Sequence, residues 1–282
     1  MRVCSYLMAD GGSSYGVVDG EAIVDAGARM RARFADLRAV LDADALDELR
    51  SGTGGERLAL SAVTLLPPVA NPDKILCIGL NYQTHIRETG RDAPQKPSIF
   101  TRYPSSIVGH GVDLVRPKAS VWFDFEGELA VVIGKRGRAI PAASAYEHVA
   151  GYSCFNDGSI RDFQRHTTQF WAGKNFDRSG SLGPWLVTAD EFGDPAARSM
   201  TTRLNGEVMQ STPISDLAFD VPALIAYIST VTELLPGDII ATGTPSGVGL
   251  FREPKLFLKP GDRVEVEITG IGVLANSIVD EA

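Results

Sequence analysis

Residues Trp122-Phe-Asp-Phe-Glu-Gly-Glu128 run directly into the apolar stretch Leu129 to Gly134. A short apolar run bounded by glycine indicates a buried strand, and side chains two residues apart on a strand point to the same face of its sheet. Glu126 and Glu128 therefore lie side by side at the start of the predicted strand. Two carboxylates on one face repel each other, and a hard divalent cation between them converts that repulsion into binding. The stretch predicts a strand that begins with two candidate metal ligands.

A third carboxylate follows at the end of a second strand-like segment. Asp157 closes the stretch Gly151-Tyr-Ser-Cys-Phe-Asn-Asp157, which then turns. With Glu126 and Glu128 it supplies three oxygen ligands and leaves room for water and substrate, an open site that suits Mg²⁺ or Mn²⁺, with Ca²⁺ as a further option. Spacing alone leaves a competing interpretation open, in which the three are surface charges or salt-bridge partners.

A histidine and a glutamate form a second candidate group. In the segment Gly79-Leu-Asn-Tyr-Gln-Thr-His-Ile-Arg-Glu88, His85 and Glu88 are three residues apart, and they are neighbours if the segment makes a helical turn. A carboxylate beside a histidine fixes its tautomer and raises its basicity, which produces a general base able to activate water. Residues 89–94 are predicted to be mobile and to serve as a lid. A solvated helix face is the alternative interpretation.

Two further stretches are candidates for substrate binding. Lys174 follows two small residues, and a buried lysine holds an anionic substrate or a developing enolate, whereas an ordinary surface lysine is the alternative. The run Leu235 to Gly249 predicts a strand that leads into a glycine-rich loop, whose backbone N–H groups and Thr244 hydroxyl suit an anion such as a carboxylate. The loop lacks the Gly-Lys-Ser/Thr ending of a phosphate-binding loop, and a structural turn is the alternative.

The composition narrows the class of protein. The chain has 282 residues, of which 44% are hydrophobic, and a formal net charge of −8. The acidic balance argues against a nucleic-acid partner, which requires a basic surface. The chain lacks an apolar run of about 18 residues, which argues against a membrane span, and Met1 to Tyr15 lacks the pattern of a secretory signal. Three widely spaced cysteines fit reduced thiols, so the sequence predicts a cytoplasmic protein.

The order of predicted elements indicates two regions. Residues 1–66 contain short strands and a helical stretch over about residues 31–49, and they end before Pro67-Pro68, which interrupts regular structure. The remainder is rich in strands, such as Arg263 to Ile268, and the clearest helix is Val221 to Val231. Many strands with scattered helices predict an α+β fold, with a small N-terminal domain at 1–66 and a catalytic domain at 67–282.

Six stretches, in this order along the chain, resemble the fumarylacetoacetate hydrolase family. They are Ile78 to Glu88, Phe123 to Gly134, Gly151 to Asp157, Gly173 to Asp177, Leu182 to Thr188 and Pro236 to Gly249. The resemblance covers residues 67–279. It implies a mixed β-sandwich roll with a deep active-site cleft, a variable N-terminal extension and a homodimer.

By resemblance, Glu126, Glu128 and Asp157 match the family's divalent-metal ligands. The implied chemistry uses the metal as a Lewis acid on a chelated small keto acid, and hydrolysis of a C–C bond in a 2,4-dioxo acid of the acylpyruvate type is the first hypothesis. Isomerisation of a 2-hydroxyhepta-2,4-diene-1,7-dioate type compound and decarboxylation of oxaloacetate are alternatives, because each uses the same enolate. A metal-stabilised binding protein without turnover is the alternative from another class.

The resemblance also implies roles for the other candidates. His85 and Glu88 match a lid pair that positions or activates water. Lys174 matches the lysine that stabilises an enolate or carbanion. Gln164 and Thr244 match positions that contact the substrate.

Two positions depart from the family pattern. Many members have Asp-Val-Ser or Asp-Val-Thr where this chain has Asp157-Gly158-Ser159. Lysine is common where this chain has Arg102, which is predicted to contact the substrate. Both differences bear on substrate contacts, so the exact substrate stays open.

Overall fold

The structure is a computed structural model, and it describes residues 1–8, 10–52, 54–90, 92 and 94–282. The lid predicted over residues 89–94 includes residues 91 and 93, which lie outside the described residues.

Strands dominate the described chain. In chain order they are β1 (Arg2–Leu7), β2 (Ser13–Asp19), β3 (Ala22–Asp25), β4 (Arg57–Ala59), β5 (Thr64–Leu65), β6 (Ile75–Gly79), β7 (Ser98–Arg102), β8 (Ile107–Val108), β9 (Leu114–Arg116), β10 (Phe123–Asp124), β11 (Gly127–Ile133), β12 (Val149–Asn156), β13 (Ser159–Ile160), β14 (Gly180–Thr188), β15 (Ser199–Leu204), β16 (Glu207–Pro213), β17 (Ile239–Ala241), β18 (Arg263–Ile268) and β19 (Gly272–Asp280).

The α-helices of the described chain are short. They are α1 (Gly27–Arg33), α2 (Leu37–Asp42), α3 (Leu46–Arg50), α4 (Gln83–Thr89), α5 (Arg161–Gln164), α6 (Trp171–Lys174), α7 (Ala189–Phe192) and α8 (Val221–Val231).

The strands of the described residues form two large sheets and one small one. The largest has the strand order β4-β3-β2-β1-β14-β12-β11-β17-β6-β7, with β5 paired to β1 and β8 paired to β14. The second has the order β16-β15-β18-β19-β9, and β10 pairs with β13. Most neighbours are antiparallel, but β17 pairs in parallel with β6, as do β14 with β8 and β19 with β9. These mixed sheets with scattered helices confirm the predicted α+β class and the β-sandwich roll.

The main hydrophobic core lies on one face of β11. Leu129, Val131 and Ile133 join a cluster with residues of β12, β15, β18 and α8, whereas Val132 packs into a separate cluster with residues of α1, α2 and α3. Alternate residues of a strand face opposite sides of the sheet, so both faces of β11 are covered. A strand buried on both faces is apolar along its length, which explains the continuous run after Glu128.

Two predicted elements have the predicted bounds, α8 and β18. The Asp220 carboxylate accepts a hydrogen bond from the Ala223 amide at the start of α8, and Pro222 occupies the first turn, where proline is tolerated. β18 alternates buried valine and isoleucine with charged residues, as a half-exposed strand does.

The helical stretch predicted over residues 31–49 is divided among α1, α2 and α3. The Asp36 side chain accepts from the Ala39 amide and so caps the start of α2, which ends the preceding helix. Asp44 has a left-handed φ of 52° shortly after α2. A left-handed residue interrupts a right-handed helix, so a continuous helix is not possible here.

The N-terminal region joins the large sheet through β1, which pairs antiparallel with β14, Arg2 opposite Val187. The domain division at residues 66 and 67 stays a prediction. Within the described part of the chain, no helix combines the length and apolar character that crossing a bilayer requires.

Candidate metal centre and active-site cleft

One cleft contains most of the predicted site residues. Its volume is about 330 Å³. Apolar side chains line part of it, among them Phe100 and Phe251. The predicted site residues that line it are His85, Glu126, Glu128, Gln164, Lys174 and Thr244. A few polar groups that converge in a partly apolar cleft are the usual form of a small-molecule site.

The pairing of β11 with β12 brings the three carboxylates together. Glu126 directly precedes β11, Glu128 is the second residue of β11, and Asp157 directly follows β12. Glu128 is opposite Phe155, and the Asp157 amide donates to the Glu126 carbonyl oxygen at 2.8 Å. One carboxylate oxygen from each of the three residues lies within 4.8 Å of the others. All three residues are buried, so they are not surface charges, but Glu126 and Asp157 are salt-bridge partners as the competing interpretation expects.

Two of these carboxylates are held by buried cations. Lys174 Nζ lies 2.7 Å from Glu126 Oε2 and 2.6 Å from Asp157 Oδ2. Arg161 Nη1 lies 2.5 Å from Glu126 Oε1, and Arg102 Nη1 lies 2.6 Å from Asp157 Oδ1. Burial by itself raises the pKa of Glu126, but Lys174 and Arg161 outweigh burial and lower that pKa to about 2. Glu126 is therefore an anion in the folded protein at neutral pH.

Lys174 is itself almost fully buried at the end of α6. Burial lowers the pKa of its ammonium group, but Asp157 and Glu126 outweigh burial, and the pKa is raised above its ordinary value. The ammonium group therefore stays charged. This placement excludes the alternative of an ordinary surface lysine.

Glu128 has different neighbours. Its Oε2 accepts a hydrogen bond from the Gly243 amide at 2.8 Å, and it forms no ion pair with any residue that the structure describes. Burial raises the pKa of Glu128 well above its usual range, and the nearby Asp157 and Glu126 carboxylates raise it further. A buried carboxylate without a cation is costly, so this position favours the binding of a cation.

The donor set fits a divalent cation. Three carboxylates with convergent oxygens are the all-oxygen ligand set that Mg²⁺ and Mn²⁺ prefer. The buried cations of the centre already pair with Glu126 and Asp157 and with the adjacent Asp124, which leaves the charge of Glu128 uncompensated. Glu126, Glu128 and Asp157 are the residues that would hold the ion.

The predicted His–Glu pair forms on α4. His85 Nδ1 lies 2.8 Å from Glu88 Oε2. Glu88 Oε1 accepts a hydrogen bond from the Gly247 amide at 3.0 Å, and the His85 ring meets the Phe251 ring edge to face, with centroids 5.8 Å apart. His85 lines the cleft, so the pair is not a solvated helix face. A carboxylate bound to one ring nitrogen orients the imidazole for proton transfer.

The glycine-rich loop after β17 binds carboxylates of the protein itself. Its backbone N–H groups serve as the sequence predicts, but their anions are side chains of the site. The donor and acceptor pairs are Gly243 with Glu128, Gly247 with Glu88, and both Gly249 and Leu250 with Asp124, at distances of 2.8 to 3.0 Å. One loop therefore fixes three carboxylates around the cleft.

Two of the residues predicted to contact the substrate line the cleft. Gln164 Oε1 accepts a hydrogen bond from Arg161 Nη1 at 3.0 Å. The Thr244 hydroxyl donates to the Gly127 carbonyl oxygen and accepts from the Gln210 amide group, each at 2.9 Å. Both side chains are thus oriented by other protein groups while they face the cleft.

Arg102 has a different placement. It is 2% exposed and is not part of the cleft lining. Its guanidinium donates to Asp157 Oδ1, to the Gly158 carbonyl oxygen at 2.9 Å and to Ser179 Oγ at 2.7 Å. This placement favours a role in holding Asp157 over the substrate contact predicted from the sequence.

The two departures from the family pattern meet at one point. Arg102 touches Gly158 directly. A Cβ atom at position 158 would lie 1.9 Å from the Ser179 carbonyl oxygen, so this backbone arrangement admits no side chain there. Gly158 and Arg102 are therefore in direct contact, next to the candidate metal ligand Asp157.

Two important residues of the site were not predicted. Arg161 lines the cleft and joins Glu126 to Asp124, whose Oδ2 lies 2.8 Å from Arg161 Nε. Arg161 Nη2 is buried and makes no hydrogen bond with any described residue. A signal was present, because Asp124 lies two residues before Glu126 and Arg161 lies four residues after Asp157. Spacing alone does not say which distant carboxylate an arginine meets.

Comparisons with known proteins give the same family as the sequence. The family model described as fumarylacetoacetate (FAA) hydrolase C-terminal matches residues 74–279. The mitochondrial oxaloacetate tautomerase FAHD2A of Bos taurus is 47% identical over 224 residues, which cover 79% of this chain and 71% of that protein. The oxaloacetate tautomerase YisK of Bacillus subtilis (strain 168) is 44% identical over 230 residues, which cover 80% of this chain and 76% of that protein.

One similar solved structure contains a bound metal ion and a small 2-oxo acid. Maleylpyruvate hydrolase from Sphingobium sp. SYK-6, in complex with manganese (II) ion and pyruvate, has a TM-score of 0.81 to this chain at 29% identity, with 100% of both chains covered. The similarity of fold, the three converging carboxylates and the family model all indicate the same family. The chain belongs to the fumarylacetoacetate hydrolase family.

Proposed function

We propose that the protein is a divalent-metal-dependent enzyme that interconverts the enol and keto forms of a small 2-oxo acid, with oxaloacetate as the first candidate. The convergence of three buried carboxylates, two of which (Glu126 and Glu128) line the cleft together with His85 and Lys174, carries the proposal. The two tautomerases with 44–47% identity support this reaction. On this support we rank tautomerisation ahead of the C–C hydrolysis that was the first hypothesis from the sequence.

The side chains of the cleft have complementary tasks in this reaction. A bound divalent ion would supply Lewis acidity to the oxygens of the 2-oxo acid. Lys174 and Arg161 are buried cations whose N–H groups stabilise the negative charge that develops on the enolate oxygen. His85, oriented by Glu88, carries the proton to or from C3 of the substrate. Apolar rings such as Phe100 exclude water and strengthen these charge interactions.

A ketonisation assay tests the proposal. Freshly dissolved enol oxaloacetate is followed by its ultraviolet absorbance, with the protein as purified, after EDTA, and after added Mg²⁺ or Mn²⁺. EDTA abolishes the catalysed rate and either metal restores it. The substitution His85→Ala lowers kcat by about a hundredfold or more, which is the usual size of a general acid–base contribution.

His148→Ala is the matched control, because His148 is only partly buried, lies outside the cleft lining and, among the described residues, bonds to the Lys135 carbonyl oxygen. The His148→Ala variant catalyses ketonisation at the same rate as the unaltered protein. A catalysed rate that is indifferent to EDTA, or that His85→Ala leaves unchanged, would contradict the proposal and favour a binding protein without turnover.

Hydrolysis of an acylpyruvate-type acid is the second candidate. The His85–Glu88 pair favours it, because an oriented imidazole can also take a proton from an attacking water. Proton NMR of the products separates the reactions. Hydrolysis gives two fragments, decarboxylation of oxaloacetate gives pyruvate and CO₂, and isomerisation of a hydroxy-dienedioate gives a product of unchanged mass.

Two further expectations stay predictions, one from the family resemblance and one from the cysteine pattern. They are a homodimer, which sedimentation velocity tests, and a cytoplasmic location, which cell fractionation tests.

A further inference from the structure

The helix that bears His85 and Glu88 is too short to be stable by itself. α4 has seven residues, and isolated helices shorter than about 12 residues are marginal in water. Its N-cap residue, Tyr82, provides no side-chain hydrogen bond to the first turn. The amides of a first turn need acceptors from elsewhere in the fold.

Asp216 supplies that acceptor from a distant part of the chain. It ends the 3₁₀ turn Ile214–Asp216, and its Oδ2 accepts from the Thr84 amide at 3.0 Å and from the Thr84 hydroxyl at 2.7 Å. Thr84 directly precedes His85. A carboxylate at the start of a helix satisfies free amides and interacts favourably with the helix dipole.

The segment that contains Asp216 is itself fixed to the sheet. Asn81 Oδ1 accepts from the Phe219 amide at 2.8 Å, and the Ala218 amide donates to the Asn81 carbonyl oxygen at 2.7 Å. The Asn81 side chain also donates to the Thr242 carbonyl oxygen at 2.8 Å, at the end of β17. The segment that contains Asp216 is therefore held by Asn81, which also bonds to the end of β17 next to Gly243, the residue whose amide binds Glu128.

α4 is thus held at two places, by Asp216 at its first turn and by the Gly247 amide at Glu88. We propose that Asp216 is a positioning residue that fixes the first turn of α4 and thereby sets the orientation of His85 in the cleft. The inference rests on the proposed function of the His85–Glu88 pair. Asp216 itself is not part of the cleft lining, so its effect on catalysis passes through α4.

The substitution Asp216→Ala tests the proposal, with Asp220→Ala as the matched control. Asp220 caps α8 with one hydrogen bond to the Ala223 amide at 2.9 Å, four residues further along the chain, and this cap belongs to another helix. We expect Asp216→Ala to lower kcat for ketonisation by about tenfold, because a misplaced His85 imidazole loses part of its general acid–base contribution. Amides of α4 exchange faster with deuterium in the Asp216→Ala variant. Asp220→Ala changes neither kcat nor the exchange rates of α4.

Thr84→Val provides a milder variant in case Asp216→Ala does not fold. It removes the hydroxyl hydrogen bond and keeps the amide one, so its loss of kcat is smaller but in the same direction.

A double variant separates positioning from general stability. If Asp216 acts through His85, then His85→Ala and His85→Ala with Asp216→Ala have the same rate. Additive losses would overturn the inference, and so would an Asp216→Ala enzyme that behaves like the Asp220→Ala control. If His85→Ala is as active as the unaltered protein, the proposed function of the pair fails, and this inference fails with it.

Discussion

Glu128 differs from the other two carboxylates of the triad because no cationic side chain that the structure describes pairs with it. Its only hydrogen bond in the described structure comes from the Gly243 amide, and its neighbours Glu126 and Asp157 repel its charge. We expect Glu128→Gln to weaken Mn²⁺ binding in calorimetry by more than the roughly tenfold to hundredfold that losing a group that only orients a ligand costs. Without metal, the same substitution leaves the free energy of unfolding unchanged or raises it, because the amide is not repelled.

Glu267→Gln is the control for this measurement. Glu267 is partly exposed and pairs with Arg203 on the neighbouring strand, away from the cleft lining. Its substitution leaves Mn²⁺ affinity unchanged. Equal affinity of the Glu128→Gln variant and the control would contradict the assignment of Glu128 as a ligand.

Gly158 and Arg102 form the second residue-scale feature, since the two family departures touch each other. We expect Gly158→Val to lower the free energy of unfolding by about 1–3 kcal/mol or more, because its Cβ collides with the Ser179 carbonyl oxygen. Arg102→Lys removes guanidinium hydrogen bonds to the Gly158 carbonyl oxygen and to Ser179 Oγ. The double variant therefore loses less stability in urea unfolding than the sum of the two single losses. A purely additive loss would show that the two positions are independent.

At the scale of elements, the loop after β17 determines the geometry of the site. It binds Glu128, Glu88 and Asp124 through its own amides, so the metal centre and the His–Glu pair share one support. Gly247 has a φ of +100°, and a Cβ atom there would lie 2.3 Å from the Met209 carbonyl oxygen. The backbone at this position can therefore belong only to glycine.

Gly247→Ala tests the role of this loop. We expect it to lower kcat for ketonisation by about tenfold or more, because the amide that holds Glu88 must move. Gly111→Ala is the control, since Gly111 also has a positive φ, of +77°, but has no atom near its Cβ position. Both variants carry backbone strain of about 1–2 kcal/mol, so the difference in kcat reports the collision with the Met209 carbonyl oxygen and the resulting displacement of the amide that holds Glu88. Equal kcat values for the two variants would contradict the role of the loop.

At the scale of the whole molecule, the features set by local chemistry were predictable from the sequence. The start of α8 follows from Asp220 and Pro222, and the approach of the Glu126 and Glu128 carboxylates agrees with their spacing of two residues where β11 begins. The partners of these carboxylates were not predictable. Arg161 meets Glu126 across 35 residues and Asp216 meets Thr84 across 132, and only the folded sheet brings such groups together.

The account as a whole depends on one cation held among three carboxylates at the meeting point of β11 and β12. The most direct test is an anomalous difference map from a crystal grown with MnCl₂. We predict one strong peak with oxygens of Glu126, Glu128 and Asp157 at about 2.0–2.3 Å from it. A map without a peak there, in which Glu126 and Asp157 remain bound only to Lys174 and the two arginines, would contradict the central claim.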